Sequence, residues 1–459
     1  MIVRGRTAAI HNLGCKVNAY ETESMRQQLE EAGYTIVPFA PGADVYLINT
    51  CTVTNIADRK SRQMLHRARK MNPEAIVVAV GCYVQAAMEK TGLAVEADII
   101  IGNNQKSRLV EILEEYRESR KASSAEKTES RARSVVTQSC THSAFEEMKL
   151  TRTSEHTRAD IKVQDGCSQY CTYCLIPYAR GKARSRRPAD VIREVSDLAR
   201  SGIREIVLTG IHLSSYGKDL DSGEDLLQLI RGTAAIDGIE RVRLGSLEPG
   251  IITEDFVKGI AQVKEFCPHF HLSLQSGSDT VLRRMNRRYT SAEFEDRCRL
   301  LRRYFDDPAL TTDVITGFPG ETEEEFEQTR QFLERICFYE THVFKYSKRE
   351  GTAAAKMGGQ LTEAVKSARS DVLLALNEVN RKAYEEKLSK RPAEILLEEE
   401  KVIGGKHYMI GHTREYIRAA LPVAGSETEA SLRGQIIRGR ISAPGPEEET
   451  LNFTADIRD

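Results

Sequence analysis

The stretch that most constrains this chain is Asp165-Gly166-Cys167-Ser168-Gln169-Tyr170-Cys171-Thr172-Tyr173-Cys174, three cysteines in one short loop with the spacing C-x3-C-x2-C. No fourth cysteine follows nearby, whereas a tetrahedral zinc site wants a fourth Cys or His close by. Three thiolates and one open position suit an iron–sulfur cluster that leaves one iron free for a ligand. A structural zinc loop, or reduced buried thiols, is the alternative.

At roughly 150 residues per domain, 459 residues make about three domains, each large enough for a core. The formal charge of −1 excludes a chain-wide basic field, so any nucleic acid must be held by local patches. Arg4 and Arg6 are followed by no long apolar run. Neither a secretion leader nor a bilayer span is expected, and the chain is placed in the cytoplasm. Ten cysteines in such a chain fit reduced thiols and metal ligands better than a disulfide framework. Trp is absent, which limits broad aromatic stacking platforms.

Residues 1–120 alternate apolar β-runs (8–13, 44–49, 75–80, 97–101) with helical stretches (21–32, 58–70, 107–120). That pattern predicts a doubly wound parallel sheet with helices on both faces. Cys15, Cys51 and Cys82 each follow shortly after a strand. Ligand sites in open α/β sheets lie outside the carboxyl ends of the strands, so the three are expected to share one crevice. Residues 121–155 are polar and mixed in charge and read as a linker with an ordered piece near 145–150. Cys140 and His142 within it read as incidental.

From 156 to 390 the alternation resumes with six strands (160–163, 205–209, 241–244, 269–274, 310–315, 340–344) and helices between them. A partial (β/α)6 barrel is the simplest closure, and an open sheet is the alternative. The strand ends carry Gly210, Ser246, Glu248, Gln275 and Gly317, which together describe a pocket for a polar cofactor. Two basic clusters follow active-face loops: Arg180, Lys182, Arg184, Arg186 and Arg187, then Arg283, Arg284, Arg287 and Arg288. Of these, Arg180, Arg184, Arg186, Arg187, Arg287 and Arg288 are the expected RNA-phosphate contacts. Residues 391–459 hold five short β-runs punctuated by Gly and Pro and predict a small β-barrel of OB-like character.

The whole chain resembles the methylthiotransferases of the radical S-adenosylmethionine (SAM) class. The resemblance rests on Cys15, Cys51 and Cys82, on the Cys167–Cys174 loop, and on two motifs. These are His271-Leu272-Ser273-Leu274-Gln275-Ser276-Gly277-Ser278 and Met285-Asn286-Arg287-Arg288-Tyr289-Thr290. It implies two [4Fe–4S] clusters, one on each cysteine triad, with SAM chelating the open iron of the loop cluster. It also implies a C-terminal TRAM domain that binds RNA. Leu13-Gly14-Cys15-Lys16-Val17-Asn18 and Asn49-Thr50-Cys51-Thr52-Val53-Thr54 look like the branch acting on N6-threonylcarbamoyladenosine at position 37 of tRNA. The isopentenyladenosine branch tends to have Gln-Met-Asn at 16–18. Gly245 departs from the Ser expected before Ser246-Leu247-Glu248-Pro249.

The implied reaction replaces the hydrogen on carbon 2 of adenine, which acid–base groups cannot readily remove, so a radical derived from SAM is required. The auxiliary cluster would deliver methylated sulfur. Tyr173 is the expected adenine contact for SAM, and Asn18 and Asn49 the expected neighbours of the auxiliary cluster. A flavodoxin- or ferredoxin-type donor would supply the electron. The rivals are an isopentenyladenosine or ribosomal-protein aspartate methylthiotransferase, a two-cluster electron carrier, and an RNA-binding protein with structural metals.

Overall fold

The computed structural model describes residues 6–91, 95–126, 133–136, 144–153, 157–221, 223–389, 391–423, 432–447 and 449–456. The first sheet holds β1 (Arg6–Asn12), β2 (Tyr34–Val37), β3 (Val45–Thr50), β4 (Ile76–Gly81), β5 (Ile99–Ile101) and β6 (Arg133–Val135). All its pairings are parallel, in the order β2-β1-β3-β4-β5-β6. Every residue of β3 and β4 is buried, as near-continuous apolar strands between two helical layers must be. The chain steps one way from β1 to β2 and the other way from β3 onward. The β1/β3 boundary is therefore the topological switch point, where a crevice opens at the strand ends.

Two strands of this sheet escape the sequence reading. β2 follows Gly33 directly, and its four residues are too few to show a period. β6 and the buried Met148 and Leu150 lie in the segment read as a linker. That segment is thus partly structural: its charged composition hides a short edge strand, which needs only backbone hydrogen bonds. Cys140 and His142 lie outside the described residues.

The second unit contains β7 (Arg158–Asp165), β8 (Arg184–Ser185), β9 (Glu205–Gly210), β10 (Arg241–Leu244), β11 (His269–Gln275), β12 (Ala309–Thr316) and β13 (Glu340–Lys345). Apart from the short antiparallel β8 on the edge of β7, the six strands run parallel in chain order. The sheet thins between β10 and β11 to two bridges, Val242 to Phe266 and Leu247 to Leu272. This is the expected partial barrel. Capping boxes at Asp225/Gln228, Thr290/Glu293 and Thr322/Glu325 fix where three of its helices begin. One apolar core joins this unit to the first sheet, with Met25 and Leu29 of helix Lys16–Glu31 and Ile161 and Val163 of β7 in the same cluster.

After the helix Glu363–Leu388, β14 (Pro392–Ile403), β15 (Lys406–Thr413), β16 (Arg418–Pro422), β17 (Ile436–Glu447) and β18 (Thr450–Ala455) close a five-stranded barrel, ordered β14-β15-β16-β18-β17. Closure leaves no free sheet edge. Arg241 and Arg243 of β10 tie this barrel to the second unit. They donate to the carbonyls of His412, Glu394, Arg414 and Thr413.

Candidate active site: two cysteine triads and the space between them

Cys15 caps the N-terminus of helix Lys16–Glu31, Cys51 follows β3 directly, and Cys82 opens the helix after β4. Because β1, β3 and β4 are parallel neighbours, their carboxyl ends lie side by side, with Asn12 against Asn49 and Thr50 against Gly81. Glycine turns the chain at two of these positions. Gly14 has φ +117°, and an added Cβ would sit 3.0 Å from the Cys51 sulfur. Gly81 has φ +100°, and its Cβ would lie 2.7 Å from the Thr50 carbonyl oxygen. Asn18 donates to the carbonyls of Leu13 and Thr50, and Asn49 to the carbonyl of Asn18, so both asparagines brace these turns. Burial pushes the Cys51 thiol up to about 12, with Cys82 and Cys15 adding to the effect. The Cys15 thiol is also raised by burial, against the pull of Arg180.

The second triad is local. Gly166 turns the chain at φ +69°, where an added Cβ would fall 2.0 Å from the Lys182 carbonyl oxygen. Tyr170 holds φ +51°, a conformation that a bulky residue adopts only when its surroundings impose it. Those surroundings are residues 284–287. The Thr172 amide donates to the Met285 carbonyl (3.1 Å) and its hydroxyl to the Arg284 carbonyl (2.9 Å). Asn286 donates to the carbonyls of Gln169 and Tyr170. Burial raises the Cys167 thiol to about 11 and Cys174 to about 12, with neighbouring cysteines contributing to each.

The spacing of the sulfurs separates two metal chemistries. Around one tetrahedral zinc with Zn–S near 2.3 Å, thiolates stand about 3.8 Å apart. Among the described residues the one trio of potential ligands with all donor atoms within 4.8 Å is His271, Asp313 and His342. Neither cysteine triad is that tight, yet in both the thiols oppose one another's ionisation. Each set therefore fits a polynuclear cluster better than a single ion.

A cavity of about 470 Å³ is lined by Cys15, Lys16, Gly210, Ser246, His269, His271, Asp313, His342 and Tyr416, among others. A smaller one, about 220 Å³, is lined by Thr52, Val53, Tyr173, Cys174, Gln275, Asp313 and Arg349, among others. Asp313 borders both, so the two cavities adjoin, with Cys15 lining one and Cys174 the other. Cys15 and Lys16 expose surface and are nonetheless surrounded by protein, because that surface faces the cavity wall. The larger cavity alone is within the range of small-ligand sites.

The expected cofactor residues divide between these spaces. Tyr173 and Gln275 lie beside Cys174, and Tyr173 packs edge-on against Phe318. Glu248 accepts from Gln169 of the loop (3.1 Å) and pairs with Arg287 (3.1 Å). Gly210 and Ser246 instead line the cavity at Cys15. Gly317 lines neither; at φ +71° its amide donates to Glu321 (2.8 Å).

Four of the six arginines expected to meet RNA are turned inward, and that reading is corrected. Arg180 is fully buried and pairs with Glu21 and Asp165 while its Nε donates to the Cys82 sulfur at 3.1 Å. Arg184 pairs with Asp165 (3.4 Å), and Arg186 with Glu194 and Glu147. Arg287 donates to the Cys171 sulfur at 3.3 Å. A run of arginines in sequence carries no sign of which ones have carboxylate partners far away. Arg187 and Arg288 are exposed.

Arg180 belongs to a buried network at the junction of the two units. Burial works to raise Glu21, but Arg180, Lys106 and Lys162 overcome it and hold the carboxyl well below its usual range. Asp165 is lowered in the same way, against burial, by Lys162, Arg180 and Arg184. Four cations thus face two carboxylates next to the first triad. That surplus of positive charge suits a thiolate-bound, anionic group.

Asp313, His342, Tyr416 and Arg349 were not singled out from the sequence. The signal for the first two was present: Asp313 and His342 are directly paired across β12 and β13, ionisable side chains at inward-facing positions of barrel strands. Arg349 reaches the Cys51 loop, donating to Thr52 and Asp58.

Residues 161–333 match the model of the radical SAM superfamily, and residues 7–102 that of the uncharacterized protein family UPF0004. The threonylcarbamoyladenosine tRNA methylthiotransferase MtaB of Bacillus subtilis is 39% identical, over 99% of this chain and 97% of the relative. The protein of that name from Aquifex aeolicus is 38% identical, over 87% and 95%. A tRNA-2-methylthio-N(6)-dimethylallyladenosine synthase of Acetivibrio thermocellus is 32% identical, over 94% and 88%. Among solved structures, the radical SAM methyltransferase TsrM of Kitasatospora setae, with cobalamin and a [4Fe–4S] cluster bound, shares the fold. Its TM-score is 0.51 at 16% identity, over 74% of this chain and 72% of that one. With relatives of this identity along nearly its whole length, the chain belongs to the radical SAM methylthiotransferase family.

Proposed function

We propose that this protein methylthiolates carbon 2 of N6-threonylcarbamoyladenosine next to the anticodon of tRNA. The single observation that carries the reading is the pair of adjoining cavities that share Asp313, one lined by Cys15 and the other by Cys174. The relatives named for this reaction agree with it. Two [4Fe–4S] clusters and SAM are the cofactors. Cys15, Cys51 and Cys82 would hold one cluster, and Cys167, Cys171 and Cys174 the other, while SAM bound there supplies the radical chemistry that no side chain provides.

The chain's own residues do the rest. Residues 284–287 hold the loop triad in one conformation, and Tyr173 and Gln275 border the space beside it. Arg180 and Arg287 each donate to a cysteine sulfur, which fixes that sulfur's orientation. The barrel walls shield the reacting atoms from water. Arg187 and Arg288 and the C-terminal barrel are the surfaces we assign to tRNA. A flavodoxin- or ferredoxin-type reductant would deliver the electron. No helix among the described residues is long and apolar enough to cross a membrane, and the nine described cysteines are free thiols. Both features agree with a reaction in the cytoplasm.

The test is anaerobic reconstitution followed by incubation with SAM, a reductant and tRNA bearing N6-threonylcarbamoyladenosine. The expected product carries a methylthio group on that nucleoside by mass spectrometry. Product only on tRNA bearing a dimethylallyl group would overturn the assignment of substrate.

A further inference from the structure

The cavity beside Cys15 has an unusual wall. The Lys16 side chain makes no hydrogen bond and no ion pair among the described residues, with the Asp160 and Glu205 carboxylates acting on it only from a longer distance; its ammonium stands over the Tyr416 ring, 5.7 Å from the centroid. Arg158 and Arg243 contact the same ring at 4.9 and 4.8 Å, but both are engaged by Glu205. Both ring nitrogens of His271 are engaged, Nε2 by Asp313 at 3.2 Å and Nδ1 by the Thr311 hydroxyl at 3.0 Å, so it walls the cavity without a free donor. Ser246 adds an exposed hydroxyl. An apolar substituent would leave Lys16 desolvated with only the more distant Asp160 and Glu205 carboxylates to offset it, which is unfavourable. An anionic one would complete it.

The chemistry of the substrate supplies such an anion. In adenine both carbon 2 and carbon 6, which carries N6, flank N1. A group on N6 therefore lies along the same edge as the atom to be modified, and a substrate with carbon 2 near Cys15 carries its N6 substituent close by. A threonylcarbamoyl group ends in a carboxylate and a hydroxyl, whereas a dimethylallyl group has no polar atom.

We propose that Lys16 binds the carboxylate of the threonylcarbamoyl group and so selects this substrate, with the Ser246 hydroxyl as its neutral hydrogen-bond partner. The assignment rests on the function proposed above. It makes Lys16 a specificity residue, next in sequence to a cluster cysteine, and makes Tyr416 of the C-terminal barrel part of the substrate pocket.

The test measures binding of anticodon stem-loops to reconstituted full-length protein, wild type and Lys16→Gln, with Lys16→Arg as the conservative variant. Three RNAs are compared: one with the threonylcarbamoyl acid, one with its carboxylate converted to a primary amide, and one with unmodified adenosine. A charge-assisted contact predicts that Lys16→Gln weakens binding of the acid by about tenfold to a hundredfold and leaves the amide unchanged. Lys16→Arg should recover most of the loss. Iron is counted in each variant to show that the neighbouring cluster is retained. Equal loss on acid and amide would overturn the proposal. So would discrimination that survives in Lys16→Gln and is lost in His342→Asn, which would move recognition to the His271, Asp313 and His342 trio. If wild type fails to distinguish the acid from unmodified adenosine, the substrate assignment itself has failed.

Discussion

The two cysteine triads offer similar donors, yet the chain builds them in opposite ways. Cys167, Cys171 and Cys174 share one loop, braced by a single segment, 284–287. Cys15, Cys51 and Cys82 are far apart in sequence and meet only because β1, β3 and β4 are adjacent parallel strands. The first arrangement depends on a local turn and the second on a whole sheet. The sharpest test of this separation is to remove each triad in turn. Replacing Cys167, Cys171 and Cys174 by Ala should lower iron from about eight to about four per chain and abolish SAM cleavage. Replacing Cys15, Cys51 and Cys82 should also leave about four iron but retain SAM cleavage, with methylthio product abolished. A first variant that still cleaves SAM would break the division of labour.

Each triad also has one arginine on one sulfur, and these two arginines differ. Arg180 is embedded in the Glu21–Asp165–Lys106–Lys162 network, while Arg287 pairs with the half-buried Glu248. Removing a buried charged member of an ion network breaks its hydrogen bonds, here those of Arg180 to Glu21, Asp165, Asn18 and Cys82, at about 3–5 kcal/mol. Arg180→Met should destabilise the protein by that order in urea unfolding and deplete the N-terminal cluster. Arg287→Met should act mainly on the loop cluster and less on global stability. Equal losses of stability would show that the two settings are alike.

Acid should separate the regions further. Burial tends to raise Glu205, but Arg243, Arg158 and Arg241 overcome it and bring it to about 2, from an ordinary value near 4.5. A carboxylate lowered on folding stabilises the protein fully above its unfolded value, and that contribution disappears as pH falls through the folded one. Glu205 alone contributes about 3 kcal/mol on this reasoning, and Glu21 and Asp165 act in the same direction. Far-ultraviolet circular dichroism of the metal-free protein should show stability intact above about pH 4.5 and lost progressively toward pH 2. Glu205→Gln should flatten that dependence. An unchanged acid transition in this variant would remove Glu205 from the account.

Much of this was readable before any coordinates. That Cys15, Cys51 and Cys82 lie together was legible because each follows a strong apolar strand, and a parallel sheet aligns strand ends. The six-strand barrel was legible for the same reason of period and length. The arginines were not. Arg180, Arg184 and Arg186 look like one basic run, yet each is decided by a distant carboxylate or sulfur: Glu21, Cys82, Asp165 or Glu147. β6 was hidden because a three-residue edge strand has no period. Lys16 was read as a family signature, and its pocket appeared only when β11, β12, β13 and the C-terminal barrel converged on it.

The smallest expected effect compares two glycines, one at each triad. Gly166 and Gly14 both hold positive φ, so Ala strains either turn. The obstacles differ. At Gly166 the added Cβ would meet backbone, the Lys182 carbonyl oxygen at 2.0 Å, which cannot rotate away. At Gly14 it would meet side chains, Asn18 and Cys51, each at 3.0 Å, which can yield by a few tenths of an ångström. Gly166→Ala should therefore destabilise by about 1–3 kcal/mol and halve the iron content by distorting the loop. Gly14→Ala should lose about 1 kcal/mol and keep both clusters. The reverse order would mean that the sheet-built triad tolerates less displacement than the loop. The convergence of three strand ends, and not the loop, would then be the more tightly specified of the two sites.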